Sequence, residues 1–294
     1  MEILNAILQG IIQGLTEFLP ISSSGHLAIY QHLTGNSGEG SLMFTVLLHI
    51  GTLFAVCLVF RRTIGRLILD FVDMLKLIFT GKFSYKKLNG GQRTVIMMIL
   101  SSAMLLLLVL PVFGGKSIKD AVEAFSTDPG LFWVIGLMLI ATSALMYMSY
   151  RITASDRPTH KVATPRDAVL IGLTQCAAAA FPGLSRSGST TATALACGME
   201  KQAATQYSFI LSIPAVAAAA LLEFKDAATT VGFADLNVGA TIIGVITSAA
   251  VGIFAIKAFV WLIKKNRYVI FSYYCAVVGA IVVGISIVEH ILSK

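Results

Sequence analysis

Charge is scarce in this chain. Of its 294 residues, 13% are Asp, Glu, Lys or Arg, about half the share typical of soluble domains. That leaves too little polar surface to coat a water-soluble globule, so a soluble enzyme or soluble scaffold of this length is excluded. The first residues, Met1-Glu2-Ile3-Leu4-Asn5, lack a basic stretch and a small-residue cleavage site, and no cleaved signal peptide is expected there. Cysteine is sparse as well. Cys57, Cys176, Cys197 and Cys275 each sit within an apolar segment and show no ligand spacing, which argues against a metal cluster or a disulfide framework. The net charge of +7 is read as orienting cytoplasmic loops of a membrane protein, not as a nucleic-acid surface.

What the chain has instead is apolar length. It is 56% hydrophobic with a mean hydropathy of +0.82. Long runs cover Ser41–Phe60, Thr94–Phe113, Leu131–Tyr150, Gln206–Leu222, Val238–Ile263 and Val269–Val288. Each is long enough, at about 1.5 Å per residue, to cross a hydrocarbon core of ~30 Å. The expected fold is an all-α polytopic membrane protein: one membrane domain, residues 1–294, with about six transmembrane helices.

Two further stretches are apolar but too broken to be ordinary spans. They run from Asn5 to His26 and from Asp167 to Thr190. At an offset of 162, Ala6 meets Ala168, Leu8 meets Leu170, Gly10 meets Gly172, Gln13 meets Gln175 and Pro20 meets Pro182. One inserted residue then aligns Ser22-Ser23-Ser24-Gly25 with Ser185-Arg186-Ser187-Gly188, and Leu48-His49-Ile50-Gly51 with Leu211-Ser212-Ile213-Pro214. A Gly, a Gln, a Pro and a Ser-x-Ser-Gly in one order point to an ancestral repeat, with unit one at about 1–113 and unit two at about 130–294. Basic loops alternate with acidic ones along the chain, as the positive-inside pattern requires. Three spans separate the broken segments, so the second enters the membrane from the opposite side, giving an inverted-topology repeat. Pro20 and Pro182 each remove a backbone donor and constrain the preceding residue. The Ser and Gly residues that follow supply caps and tight turns. Two re-entrant helix hairpins are therefore expected, at about 3–34 and 165–198, buried in protein or lining a wet cavity.

These hairpins hold the ionisable residues Glu17, His26 and Arg186, and such groups inside a membrane segment mark a functional site by default. Gln13 and Glu17 share a helix face, and Ser22, Ser23 and His26 follow at the turn. Ser185, Arg186, Ser187 and Thr190 come from the other hairpin. A carboxylate, an imidazole, a guanidinium and several hydroxyls suit a phosphate ester. Arg186 holds phosphate oxygens, and the restarting helix near Ser187–Thr190 aims free N–H groups at an anion. Glu17 serves as base or as ligand of a divalent cation, His26 transfers protons, and the nucleophile is either Ser23 or a water activated by His26 and Glu17. The bland alternatives are packing and capping for Ser22, Ser24 and Ser189, packing or a supporting place behind the site for His49, and capping or bridging of the hairpins for Gln175. A lipid-phosphate transporter remains a competitor, because inverted repeats with broken helices are a transporter design.

The two segments resemble the signatures of the bacterial undecaprenyl-pyrophosphate phosphatase family, also called bacitracin-resistance proteins. The first reads Gln13-Gly-Leu-Thr-Glu17 into Pro20-Ile-Ser-Ser-Ser-Gly-His26, and the second reads Pro182-Gly-Leu-Ser-Arg-Ser-Gly-Ser-Thr190. The resemblance implies hydrolysis of undecaprenyl pyrophosphate to the monophosphate carrier for cell-wall synthesis, in a bundle of six spans and two re-entrant hairpins. It implies a multi-pass protein of the bacterial cytoplasmic membrane, with a pocket facing outward and dependent on a divalent cation, Mg or Ca. Carried over by position, Glu17, Ser23, His26, Arg186 and Thr190 are the functional set, with Ser185 and Ser187 lining the phosphate site. The expected partners are the polyprenyl pyrophosphate lipid and bilayer lipids, and homodimerisation is left open. Gln13 stands where many members carry Glu, and it puts the main burden on Glu17.

Overall fold

The computed structural model describes residues 2–35, 40–113, 116–118, 132–154, 158–230 and 237–292. The acidic loop residues at 119–131 and 231–236, on which the orientation argument partly rests, lie outside the described residues. The first hairpin is α1 (Glu2–Phe18) and α2 (Ser23–Thr34); α3 (Gly40–Val59), α4 (Arg61–Phe79) and α5 (Gly90–Ala103) follow. The last of these continues as a 3-10 turn, Met104–Val109, into a short antiparallel pair, β1 (Pro111–Phe113) and β2 (Lys116–Ser117). Next come α6 (Phe132–Thr153) and the second hairpin, α7 (Pro165–Ala180) and α8 (Arg186–Ala196). The chain ends with α9 (Lys201–Thr230), α10 (Val238–Lys264) and α11 (Ile270–Leu292). Among the described residues, five stretches, in α5, α6, α9, α10 and α11, are long and apolar enough to cross a membrane, and counting α3 with its bent neighbour α4 as one gives six.

The segment after α3 was expected to be a basic loop, and it contains a helix. α4 leaves α3 at 81°. Ile64, Leu67, Ile68, Phe71, Leu75, Ile78 and Phe79 recur along one side, opposite Arg62, Arg66, Asp73 and Lys76. This division suits a helix lying in the membrane interface and not across it. The Asn89 side chain, which donates to Asp70 Oδ1 at 2.9 Å, ties α4 to the start of α5.

Lipid tails are as apolar as leucine, so close packing and hydrogen bonds hold these helices together. α1 and α10 approach through glycine: a Cβ on Gly10 would lie 2.7 Å from the Gly244 carbonyl oxygen, and one on Gly14 2.6 Å from that of Ser248. Gly172, the repeat partner of Gly10, does the same for α7 and α5, with 2.6 Å to the Ser101 oxygen. Buried hydroxyls bridge helices, Ser101 to the Ala168 carbonyl at 2.8 Å and Ser248 to the Leu48 carbonyl at 2.9 Å. Bonds of this kind contribute about 0.6 kcal/mol each.

The helix pairs map onto one another when the halves are exchanged. α1 packs on α10 as α7 packs on α5, and α3 packs on α10 as α9 packs on α5, while α3–α9 and α6–α11 pair like with like. On this ground we propose that α6 goes with the first unit, although the sequence boundary at about 130 puts it in the second. The apolar core centres on Phe18, Phe209 and Phe259, with Phe18 edge-on to Phe209 at 5.5 Å. It anchors the residue immediately after Glu17.

Candidate active site

Each hairpin breaks and restarts by the same local rules. α1 stops before Pro20, and Ser22, at φ 72°, caps the restart by accepting from the Gly25 N–H at 3.2 Å. α7 stops before Pro182-Gly183, where Gly183 at φ 93° takes a backbone conformation that a side chain would disfavour. Ser185 then caps α8 by accepting from the Gly188 N–H at 3.1 Å. The two turns cross in contact: a Cβ on Gly188 would meet Pro20 at 3.0 Å, and one on Gly25 would meet Gly183 at 3.1 Å. Two helix N-termini are thereby brought together, each a favourable place for an anion.

The first helical residues after the two caps are Ser23 and Arg186, partners in the repeat, and both reach Glu17. The Ser23 hydroxyl donates to Glu17 Oε2 at 2.7 Å, and the Arg186 guanidinium pairs with Oε1. Gln13, one turn earlier on α1, donates its amide to Oε2 at 3.0 Å. The Glu17 and Arg186 side chains are 5% and 17% exposed, so the pair is shielded yet reachable from the guanidinium side. A Glu–Arg pair taken out of water at this cost, with a hydroxyl held on the carboxylate, is equipped to bind a phosphate and deprotonate a nucleophile.

His26 belongs to the same hairpin but is turned toward α11. Its Nδ1 lies 2.8 Å from the Ser22 carbonyl oxygen and its Nε2 2.8 Å from the Tyr274 hydroxyl. The expected phosphate-lining hydroxyls have structural partners. Ser185 is the cap of α8, and its own N–H donates to Thr142 on α6 at 3.0 Å. Ser187 donates to the Leu19 carbonyl at 3.2 Å, and Thr190 lies 2.7 Å from the Arg186 carbonyl and 2.6 Å from the Ser208 hydroxyl. All three are buried, and they hold the turn that presents Arg186. Ser22 is likewise a buried cap.

Two residues outside the motifs join the site. His49 on α3 places Nε2 3.7 Å from Glu17 Oε2, and Tyr274 engages His26. Neither lies near a motif in the chain. The one signal in the sequence was His49 itself, an imidazole in the middle of an apolar span.

For a cation, Glu17 is the only carboxylate these contacts bring to the centre, and Arg186, Gln13 and Ser23 already occupy its two oxygens. No group of three His, Cys, Asp or Glu side chains suited to a metal occurs among the described residues. Among the described residues the contacts around Glu17 thus supply one carboxylate, fewer ligands than an all-protein cage for a hard cation. A groove of about 370 Å³ elsewhere, lined by Leu145, Ile152, Arg166, Asp167 and Thr193, contains none of the residues around Glu17.

Comparison with known proteins agrees across the chain. The family described as bacitracin resistance protein BacA matches residues 6–281. An undecaprenyl-diphosphatase of Alkaliphilus metalliredigens is 38% identical over 98% of this chain and 100% of its own length. Proteins of the same name from Methanosphaera stadtmanae and Bacteroides fragilis are 36% and 38% identical, over 98% and 97% of the chain and 99% of each relative.

Proposed function

The chain belongs to the bacitracin resistance protein BacA family and is an undecaprenyl-diphosphatase, and we propose that its chemistry takes place at the Glu17–Arg186 pair. It is a multi-pass membrane hydrolase that converts undecaprenyl diphosphate to undecaprenyl phosphate and inorganic phosphate, returning the carrier to peptidoglycan synthesis. The observation that carries the site assignment is the convergence of Ser23 and Arg186, the first residues of two facing helices, on one buried carboxylate.

In this reading Arg186 keeps part of its fork on Glu17 and offers the remaining N–H groups to the terminal phosphate. The backbone N–H groups opening α2 and α8, more than the hydroxyls of Ser185, Ser187 and Thr190, complete the anion cradle. Ser23 is the nucleophile. Glu17 Oε2, 2.7 Å from its Oγ, takes the proton as Oγ bonds to phosphorus and the anhydride oxygen departs on the lipid phosphate. Water then cleaves the phosphoserine. His26, fixed between the Ser22 carbonyl and Tyr274, orients the start of α2 that carries Ser23. Gln13 orients Glu17.

The divalent cation, Mg or Ca, is proposed to arrive on the diphosphate, since the Glu17 oxygens are already in use. Hard cations commonly bind phosphates in this way with few protein ligands. The compartment is proposed to be the bacterial cytoplasmic membrane, with the site opening outward. Support comes from the basic run between Arg61 and Arg93, which the positive-inside pattern assigns to the cytoplasm.

The test is phosphate release from undecaprenyl diphosphate by purified protein in detergent, where no gradient drives transport. The native chain releases phosphate, and Arg186→Ala loses at least about 1,000-fold while remaining folded. Acid quench and mass spectrometry find the phosphate on Ser23. An Arg186→Ala protein with near-native turnover would remove the pair from the reaction.

A further inference from the structure

We infer that His49 is the proton acceptor behind Glu17, taking through that carboxylate the proton Ser23 gives up. The inference rests on the site assignment above and adds a residue that the motifs do not contain. His49 acts through Glu17 and is thus a positioning residue, without contact to substrate.

The tautomer follows from geometry. His49 Nδ1 lies 2.8 Å from the Thr45 carbonyl oxygen, one turn back on α3. A carbonyl can only accept, so Nδ1 carries the hydrogen. Nε2 is left as the basic nitrogen, 3.7 Å from Glu17 Oε2. This is the oxygen that already receives the Ser23 hydroxyl and the Gln13 amide. The basic nitrogen, on a half-buried side chain, and the buried carboxylate oxygen are therefore 3.7 Å apart, a gap that one proton between them would draw closed. The backbone beside His49 is fixed by the Ser248 hydroxyl on the Leu48 carbonyl at 2.9 Å.

His26 is less suited to this duty. The Ser22 carbonyl holds the hydrogen on its Nδ1, and the Tyr274 hydroxyl fills its Nε2. Charge also favours transfer beyond Glu17. A proton resting on Glu17 would leave the Arg186 guanidinium without its partner in a largely buried site, a costly state. Passing it to Nε2 restores the carboxylate. The repeat supplies an independent observation. The positions matching Glu17 and His49 in the second unit are Ala179 and Ser212, whereas Gln13 is matched by Gln175. Carboxylate and imidazole are present together in one unit and missing together from the other, while the neighbouring amide occurs in both.

The step balances. Ser23 Oγ forms a bond to the terminal phosphorus, and the anhydride P–O bond breaks with its electron pair leaving on the lipid phosphate. The Oγ proton moves to Glu17 Oε2 and on to His49 Nε2, giving an imidazolium. When water displaces Oγ from phosphorus, that proton returns by the same path to Ser23. The protons of the water leave with inorganic phosphate.

The experiment uses the full-length protein in detergent with undecaprenyl diphosphate, comparing His49→Ala, His49→Gln, Ser23→Ala and Arg186→Ala. The expected result is a kcat loss of about 100-fold in both His49 variants, with KM within about twofold of native. Added imidazole restores part of the turnover of His49→Ala, where it has room, and none of that of Ser23→Ala. Should His49→Ala not fold, His49→Gln carries the kcat measurement and His49→Gly the rescue. Turnover within about threefold of native, or a kcat loss that imidazole leaves untouched, would overturn the relay. Active His49 variants beside inactive Ser23→Ala and Arg186→Ala would sink this inference alone, and an active Arg186→Ala would sink the site itself.

Discussion

Gly14 brings the packing of α1 on α10 within one turn of the proposed site. It lies three residues before Glu17 on α1, pressed against α10. A Cβ there would stand 2.6 Å from the Ser248 carbonyl oxygen, 2.9 Å from Val251 Cβ and 3.0 Å from the Gly252 nitrogen. Two of these three atoms are backbone, so no side-chain rotation relieves the clash. An ordinary carbon–oxygen contact is about 3.3 Å, and reaching it moves α1 by roughly 0.7 Å. Overpacking of this size costs about 1–3 kcal/mol. A misplacement near 1 Å costs a reaction about 100-fold, so Gly14→Ala is expected to lose about 10- to 100-fold in turnover while still folding. The assay is phosphate release in detergent, normalised to folded protein by gel filtration and unfolding temperature. Gly284→Ala serves as the control, since a Cβ there meets nothing within 4 Å. A Gly14→Ala enzyme within twofold of native would show that the α1–α10 contact does not set the position of Glu17.

Further outcomes follow from the same geometry. Glu17→Gln is expected to lose about 1,000-fold despite the natural Gln13 one turn away; retained activity would mean that Glu17 is not the base. Tyr274→Phe removes the hydroxyl from His26 Nε2 and is expected to lower turnover about tenfold, with unchanged rates showing that His26 works without it. Mg or Ca titrated into substrate-free protein should show no binding tighter than about 1 mM, although a chelator stops phosphate release; tight binding by calorimetry would establish a resident metal. In a background lacking the four native cysteines, Ser84→Cys should be shielded from an impermeant thiol reagent in intact cells. Labelling there would invert the orientation.

How much of this was legible in the sequence depended on whether the cause was local. The two breaks were, because Pro20 and Pro182 act on their own helices and the Ser caps act within three residues. Gln13, Glu17 and Ser23 could be grouped for the same reason. Helix α4 was missed because its charged residues made 61–93 look like loop, whereas the apolar side emerges only when residues are read at helical period. Ser185, Ser187 and Thr190 were placed by composition in the phosphate site, but their hydroxyls engage the Gly188 N–H, the Leu19 carbonyl, and the Arg186 carbonyl with the Ser208 hydroxyl. Leu19 and Ser208 lie on or next to other helices, and a hydroxyl's direction is set by what packs beside it. Tyr274 was out of reach altogether, since its contact with His26 spans 248 residues.

The Glu17–Arg186 pair also sets a schedule. Its partners are 169 residues apart, and a ribosome adding about 5–20 residues per second delivers Arg186 roughly ten to thirty seconds after Glu17. Through that interval a carboxylate in a membrane segment, a cost of about 2.5–3.5 kcal/mol, is without its counter-charge. The first hairpin therefore cannot settle into its final seat when it is made. Its counter-charge arrives only with the second hairpin. On the proposed assignment, the site is thus completed late in biogenesis, only after the second half of the chain has been made.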